Sequence, residues 1–351
     1  MTTTPAFAFS RTLPCVIVLL AAVFATACKS RSSLPRTMPV TKEMRAEAQR
    51  ATELGKWSTA AQRWYSIFVG SGSKDREACA QSARAMMHLN DPESALRVLE
   101  AGLATDVESA ELWELKGDAL VMQSFRRAAE SSYEKAVNLD GKRASAWRAL
   151  GRVRVDLGYE RAAVEPLQKA IDLGRDDFAT HVLLARAKND SGDPCGAFQA
   201  YMRAFQRGEG EPKQYVEAAM LHMNEVVRRV HKEAAQCAQA WLEKAIERNP
   251  QYERAVFELG VLHEEQGRQD QAIECYRRAV AIEPSFLPAM RNLALLYFER
   301  RDQKATREWV KLALAHERDP ERRKALESLL EPLTRDGEAL PEPPREPKSL
   351  E

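Results

Sequence analysis

The chain has almost no net charge to offer a polyanion. Its 52 Lys and Arg are met by 51 Asp and Glu, leaving +1 over 351 residues. That balance argues against nucleic acid as the main partner, because a phosphate backbone is held by an excess of cations. Acids and bases are interleaved, as on solvated helix faces. No stretch alternates apolar and polar residues with the period of two of a half-buried strand, so a βαβ enzyme core has no support. The motifs that carry chemistry are missing as well. There is no HExxH, no GxSxG and no Gly-rich phosphate loop. Carboxylates are plentiful, but none stands out as a paired acid and base. The expectation is a chain that is not an enzyme, with no cofactor, no metal and no small-molecule substrate.

Cysteine is sparse and scattered. Beyond the N-terminus it occurs only as Cys79, Cys195, Cys237 and Cys275, with no CxxC spacing, so a zinc site is not indicated. Free, mostly buried thiols are the preferred expectation, although an oxidising compartment would permit a disulfide such as Cys195–Cys237.

Uncharged apolar sequence is concentrated at the N-terminus, where Arg11 precedes Cys15 to Ala27, CVIVLLAAVFATA. This length suits a signal-peptide core and falls short of the roughly 20 residues of a membrane span. It ends in Ala25-Thr26-Ala27-Cys28. Small residues before a cysteine resemble the bacterial lipobox, which implies that residues 1–27 are removed and that Cys28 is lipidated. Cleavage by ordinary signal peptidase after Ala27, or an uncleaved anchor, are the alternatives. The resemblance implies a bacterial envelope protein, tethered to the membrane through the lipid and facing the periplasm. Lys29 after the cysteine, in place of an Asp, favours the outer membrane. Residues 28–40, polar and with two prolines, read as a flexible spacer. Leu333 to Glu351, with Pro341, Pro343, Pro344 and Pro347, reads as a disordered tail.

The rest of the chain is periodic. In Glu253 to Phe286, Val256, Phe257, Leu259, Gly260 and His263 fall at helical spacing, then Ala272, Ile273, Tyr276, Ala279 and Val280, with Gly267 between and Pro284 as a stop. Gly260 and Ala272 are the small residues that let two backbones cross closely. The same order returns with Trp113, Gly117, Ala129, Tyr133 and Ala136, with Leu150, Gly151, Gly158, Ala163, Leu167 and Ala170, and with Leu184, Ala185, Gly192, Ala197, Tyr201 and Ala204. These copies start at Ala110, Ala144 and Phe178, 34 residues apart. Further starts fall near 41, 76, 212, 253 and 287. In the last copy Arg301 stands where glycine is expected. The copy from Pro212 is 41 residues long, its seven extra residues near Glu225 to His231. Seven residues are about two helical turns, so they predict a lengthened hairpin that keeps its faces in phase.

This pattern resembles the tetratricopeptide repeat. The resemblance implies an all-α, right-handed α-solenoid of about eight helical hairpins over residues 41–320, closed by a capping helix over 321–332. It also implies a concave groove lined by the first helices, binding a protein or peptide segment. Carried onto this sequence, the groove positions give a basic middle, Arg148, Arg152 and Arg186, and an apolar C-terminal half, Met220, Met223, Phe257, Val261, Leu295 and Phe298. An exposed apolar stripe tends to be covered. The occupant is expected to be a partner segment with acidic residues at one end, or else this chain's own C-terminal helix or tail. The carboxylate clamp of chaperone-binding members has no match, since Gln81 and Glu111 stand where Asn and Lys would be needed. His222 and His263 share a repeat position, which suits a packing slot better than a metal or pH site. The expected role is a lipid-anchored scaffold that holds or assembles envelope proteins. The alternatives are a pilotin-like factor for type IV pilus or secretin assembly and an adaptor that regulates a cell-wall enzyme.

Overall fold

The structure is a computed structural model and describes residues 40–330. The signal-peptide, Cys28 and spacer assignments before Val40, and the tail after Leu330, lie outside the described residues. Among the described residues there are eighteen α-helices, one 3-10 turn and no strand.

The chain divides at Ser124 into two compact units. The first holds α1 (Lys42–Glu53), α2 (Trp57–Gly70), α3 (Arg76–His88), α4 (Pro92–Leu103) and α5 (Ala110–Met122). Each helix packs on the next, and α3 also meets α5. Boundaries follow from side chains that satisfy the free N–H groups of a first turn. Asp75, Asp91 and Ser109 each accept a hydrogen bond from the backbone three residues on. Trp64, Ile67, Phe68, Leu99 and Leu112 fill the core. Its one buried thiol, Cys79, lies where a Cβ on Gly102 would come within 2.5 Å of its Sγ. The thiol donates to the Val98 carbonyl at 3.4 Å. Burial, with nearby Glu111 adding to it, pushes its pKa up to about 12. Cys79 should therefore react with a thiolate-selective disulfide reagent at neutral pH far more slowly than half-buried Cys195, because only the thiolate attacks. Peptide mapping of the labelled native protein measures this, and labelling of Cys79 as fast as Cys195 would show that the first unit opens readily.

The second unit begins with α6 (Arg126–Leu139), α7 (Ala144–Asp156), α8 (Glu160–Asp172), α9 (Phe178–Asp190) and α10 (Pro194–Arg207). It continues with α11 (Pro212–Met220), a 3-10 turn (Leu221–Met223), α12 (Glu225–Val230) and α13 (Ala234–Arg248). It ends with α14 (Glu253–Glu265), α15 (Gln269–Ile282), α16 (Leu287–Glu299), α17 (Gln303–His316) and α18 (Pro320–Ser328). Hairpin partners α7 and α8, α9 and α10, α14 and α15, and α16 and α17 pack together, and each hairpin meets its neighbours. This nearest-neighbour packing, which both units share, is that of an α-solenoid. The close crossings fall on glycine. A Cβ on Gly151 would meet Leu167 Cγ at 2.5 Å, and one on Gly260 would meet Tyr276 Cε1 at 2.7 Å. The turn of α14 into α15 needs a left-handed residue, which Gly267 supplies at φ +74°; in the last hairpin Arg301 takes that conformation at φ 58°. At the C-terminus α18 packs on α17, and Leu326 and Leu329 close a cluster with Met290, Phe298 and Val310.

The long copy remains a hairpin, as expected, but its extra residues are not added to its first helix. Helix α11 is nine residues, against thirteen in α9 and α14, and the extra residues form the 3-10 turn and a separate helix. Asn224 is the reason. Its backbone is extended, at φ −71° and ψ 123°, and its side chain accepts from the N–H groups of Val226 and Val227, starting α12 afresh. The hairpin survives, because α11 still packs on α13, while α12 lies against α10.

Candidate functional site

The inserted segment builds one side of a cleft of about 660 Å³ in the second unit. Arg186, Asn189 and Asp190 come from the last turns of α9, and Tyr201 from α10. Glu217 and Met220 come from α11, Leu221 and Met223 from the 3-10 turn, and Asn224 and Glu225 from the start of α12. The floor is held by ionic hydrogen bonds. Arg186 Nε donates to Glu217 Oε2 at 2.9 Å, and Arg186 Nη2 to the same oxygen at 2.8 Å and to Oε1 at 3.1 Å. Tyr201 Oη donates to Glu217 Oε2 at 3.1 Å. Burial works against the charge on Arg186, but Glu217 outweighs it and holds the guanidinium pKa above its ordinary value. Burial and the same carboxylate push the Tyr201 phenol up, so it stays protonated and donating. Glu217 Oε2 thus accepts three hydrogen bonds and Oε1 one. The arrangement is a rigid polar floor beneath the half-exposed thioethers of Met220 and Met223.

Three of the groove residues expected from sequence, Arg186, Met220 and Met223, are thereby brought together. Arg148 and Arg152 are not part of this cleft. Arg152 is exposed; Arg148 is half-buried, and its Nε has no hydrogen-bond partner. Burial holds the Arg148 pKa below its usual value, and Arg175 and Arg152 add to this while Asp177 opposes it. The apolar half of the expected stripe is largely inside the protein. Phe257 is 8% exposed, Val261 9% and Phe298 5%, with Leu295 half-buried. Phe257 packs on Tyr276 and Phe286, each 5.4 Å between ring centroids, and Phe298 lies in the cluster closed by Leu326 and Leu329. Cys28 lies outside the described residues.

The two histidines do not share an environment. His222, buried in the 3-10 turn, has Nδ1 2.6 Å from the Ala219 carbonyl and Nε2 3.1 Å from Glu265, which Arg228 also approaches at 3.5 Å. His263, on α14, has an unpartnered Nδ1 and a pKa held down by burial and by Arg268. Among the described residues no group of three or more His, Cys, Asp or Glu is placed to hold a metal ion.

Sequence reasoning missed Asp190, Tyr201, Glu217, Leu221, Asn224 and Glu225 as cleft residues. Asp190 and Glu217 do not stand at template positions that face a groove. The others belong to the second helix of a hairpin or to the insertion, which has no template. The insertion's length was the signal available.

Compared with known proteins, residues 233–285, from the end of the insertion through α15, match the family model of the tetratricopeptide repeat. The fold is similar to that of YrrB, described as a TPR protein with an unusual peptide-binding site, at 20% identity and a TM-score of 0.51 over 56% of this chain and 98% of that one. It is similar to the C-terminal part of a TPR repeat-containing protein from Cytophaga hutchinsonii, at 15% identity and a TM-score of 0.54, covering 71% and 99%. It is also similar to PilF of Pseudomonas aeruginosa, at 18% identity and a TM-score of 0.51, covering 64% and 96%. At these identities the likeness is one of fold. No curated protein matches the sequence. The hairpins define an all-α solenoid, a class that serves as a scaffold for protein interaction. Residues 233–285 thus carry the tetratricopeptide repeat, and the described residues share the fold of tetratricopeptide-repeat proteins.

Proposed function

We propose that this chain is a lipid-anchored, periplasm-facing scaffold of a bacterial envelope, which binds a segment of another protein and does no chemistry itself. The observation that carries the binding role is the insertion cleft. It offers two adaptable methionines over a fixed polar floor, and methionine surfaces accommodate varied apolar side chains. YrrB, with the same fold, has a peptide-binding site. The anchor rests on the sequence Ala25-Thr26-Ala27-Cys28 after an uncharged run. Acyl chains there would tether the repeats, each buried methylene contributing about 0.8 kcal/mol. Among the described residues no helix is long and apolar enough to cross a membrane.

Metabolic labelling with an alkyne fatty acid is expected to tag the wild-type chain and to be abolished by Cys28→Ala. Label that persists in the variant would overturn the anchor. Affinity capture from solubilised membranes tests the scaffold role. Recovery of a secretin selects the pilotin-like role, and recovery of a wall hydrolase or synthase selects the adaptor role. Recovery of no envelope protein would overturn the reading.

A further inference from the structure

Resting on that reading, we infer that the insertion cleft selects a protein segment in which a lysine or arginine stands beside a large aliphatic residue. Arg186 is the cleft's one cation, and it is committed to Glu217 by three hydrogen bonds. Its charge is thereby balanced by Glu217, which leaves the cleft less attractive to an acidic partner. Two other cations of this region have carboxylate partners. Lys213 approaches Glu217 at 3.9 Å, and Arg254 pairs with Glu258 at 2.6 Å while also lying 3.9 Å from the Met220 sulfur.

The carboxylates are less well matched. Asp190 and Glu225 both line the cleft and are exposed. Among the described residues neither makes an ion pair; Asp190 accepts only from its neighbour Asn189, at 3.0 Å. One comes from the end of α9 and the other from the start of α12, so two separate elements contribute negative charge to the cleft lining. Between these elements lie the half-exposed side chains of Met220 and Met223. A cleft that sets two methionine side chains among surplus negative charge is complementary to an aliphatic side chain flanked by a cation. Met220, Met223 and Glu225 all belong to the 41-residue copy, and this selectivity belongs with them to that hairpin. Of the arginines that suggested an acidic partner end, Arg148, Arg152 and Arg186, only Arg186 lines this cleft, and its charge is balanced by Glu217.

The test uses the purified full-length chain at low ionic strength, since exposed charge pairs are screened by salt. The probes are capped octapeptides alternating lysine with leucine, glutamate with leucine, and lysine with serine, titrated by fluorescence anisotropy. The lysine–leucine peptide should bind about tenfold or more tighter than either of the others. The double variant Asp190→Asn, Glu225→Gln should reduce that binding by about tenfold. Both changes are isosteric and on exposed side chains, and an unchanged circular dichroism spectrum confirms that the fold is kept. Met223→Ser should weaken the lysine–leucine peptide and leave the lysine–serine peptide unaffected. Equal binding of the glutamate peptide, unchanged affinity in the double variant, or no saturable binding of the lysine–leucine peptide at millimolar concentration would each overturn the assignment. None of these outcomes bears on capture of an envelope partner, so the scaffold reading stands or falls separately.

Discussion

Phe257→Ala should destabilise the second unit by about 3–5 kcal/mol, the usual range for removing a buried phenylalanine ring. At a groove position of the repeat template, this ring would be expected to face a partner. The structure puts it elsewhere. It contacts Tyr276 and Phe286 within the cluster formed by α14, α15 and α16, and the Arg254 guanidinium carbon lies 5.8 Å from its centroid on the remaining side. Truncation removes two aromatic contacts, each worth about 0.5–1.5 kcal/mol beyond area burial, and leaves a cavity in a helical layer whose Gly260 crossing leaves little freedom to collapse. Arg152→Ala is the comparison, because Arg152 is exposed, and it should change stability by no more than about 0.5 kcal/mol. Urea titrations of wild type and both variants measure the difference. A Phe257→Ala midpoint equal to wild type would mean that the ring stands in water, free for a partner, and that the packing described for α14 to α16 is wrong.

The difference between template and structure at Phe257 shows what a sequence of this kind can disclose. The fold class was legible because it rests on short-range necessities. Gly151 and Gly260 mark crossings where any larger residue collides, and Gly158 and Gly267 mark turns with positive φ. Such constraints act within one hairpin and repeat with it. Exposure of groove positions was not legible, because it depends on what neighbouring hairpins place above them. Phe257 is covered by Phe286 at the start of the next hairpin, and Phe298 by Leu326 and Leu329 of the capping segment. None of these three residues belongs to the hairpin it covers. The cleft was half legible. Arg186, Met220 and Met223 sit at template positions, but Glu217, which cancels the charge of Arg186, does not. The insertion was visible as a length, and its effect turned on one residue. Asn224 caps a new helix where two extra turns of the old one would also have fitted.

Gly151→Leu should be the more damaging of two substitutions at the crossing of α7 and α8, and Gly151→Ala should decide why. Alanine is the better helix former by about 0.8–1.0 kcal/mol, so on propensity alone Gly151→Ala would stabilise α7. Space argues the other way. A single added Cβ would lie 2.5 Å from Leu167 Cγ, 2.7 Å from Leu167 Cδ2 and 3.3 Å from the Leu167 backbone nitrogen. Leu167 is fully buried, so its side chain has no empty volume to move into, and the backbone nitrogen cannot move without shifting α8. Overpacking of this kind costs about 1–3 kcal/mol, which exceeds the propensity gain for alanine and rises further for leucine. Because each hairpin buries its apolar face only against its neighbours, forcing α7 from α8 also weakens the contact of α7 with α9. The leucine variant should therefore broaden the urea transition as well as lower its midpoint, as cooperativity between hairpins is lost. Gly141→Ala supplies the contrast. A Cβ there would approach only the Val137 carbonyl, at an ordinary 3.7 Å, and stability should change by less than about 0.5 kcal/mol. Equal midpoints for Gly151→Ala and Gly141→Ala would mean that the helices do not cross at Gly151. The spacing of small residues would then have another cause than close approach of backbones.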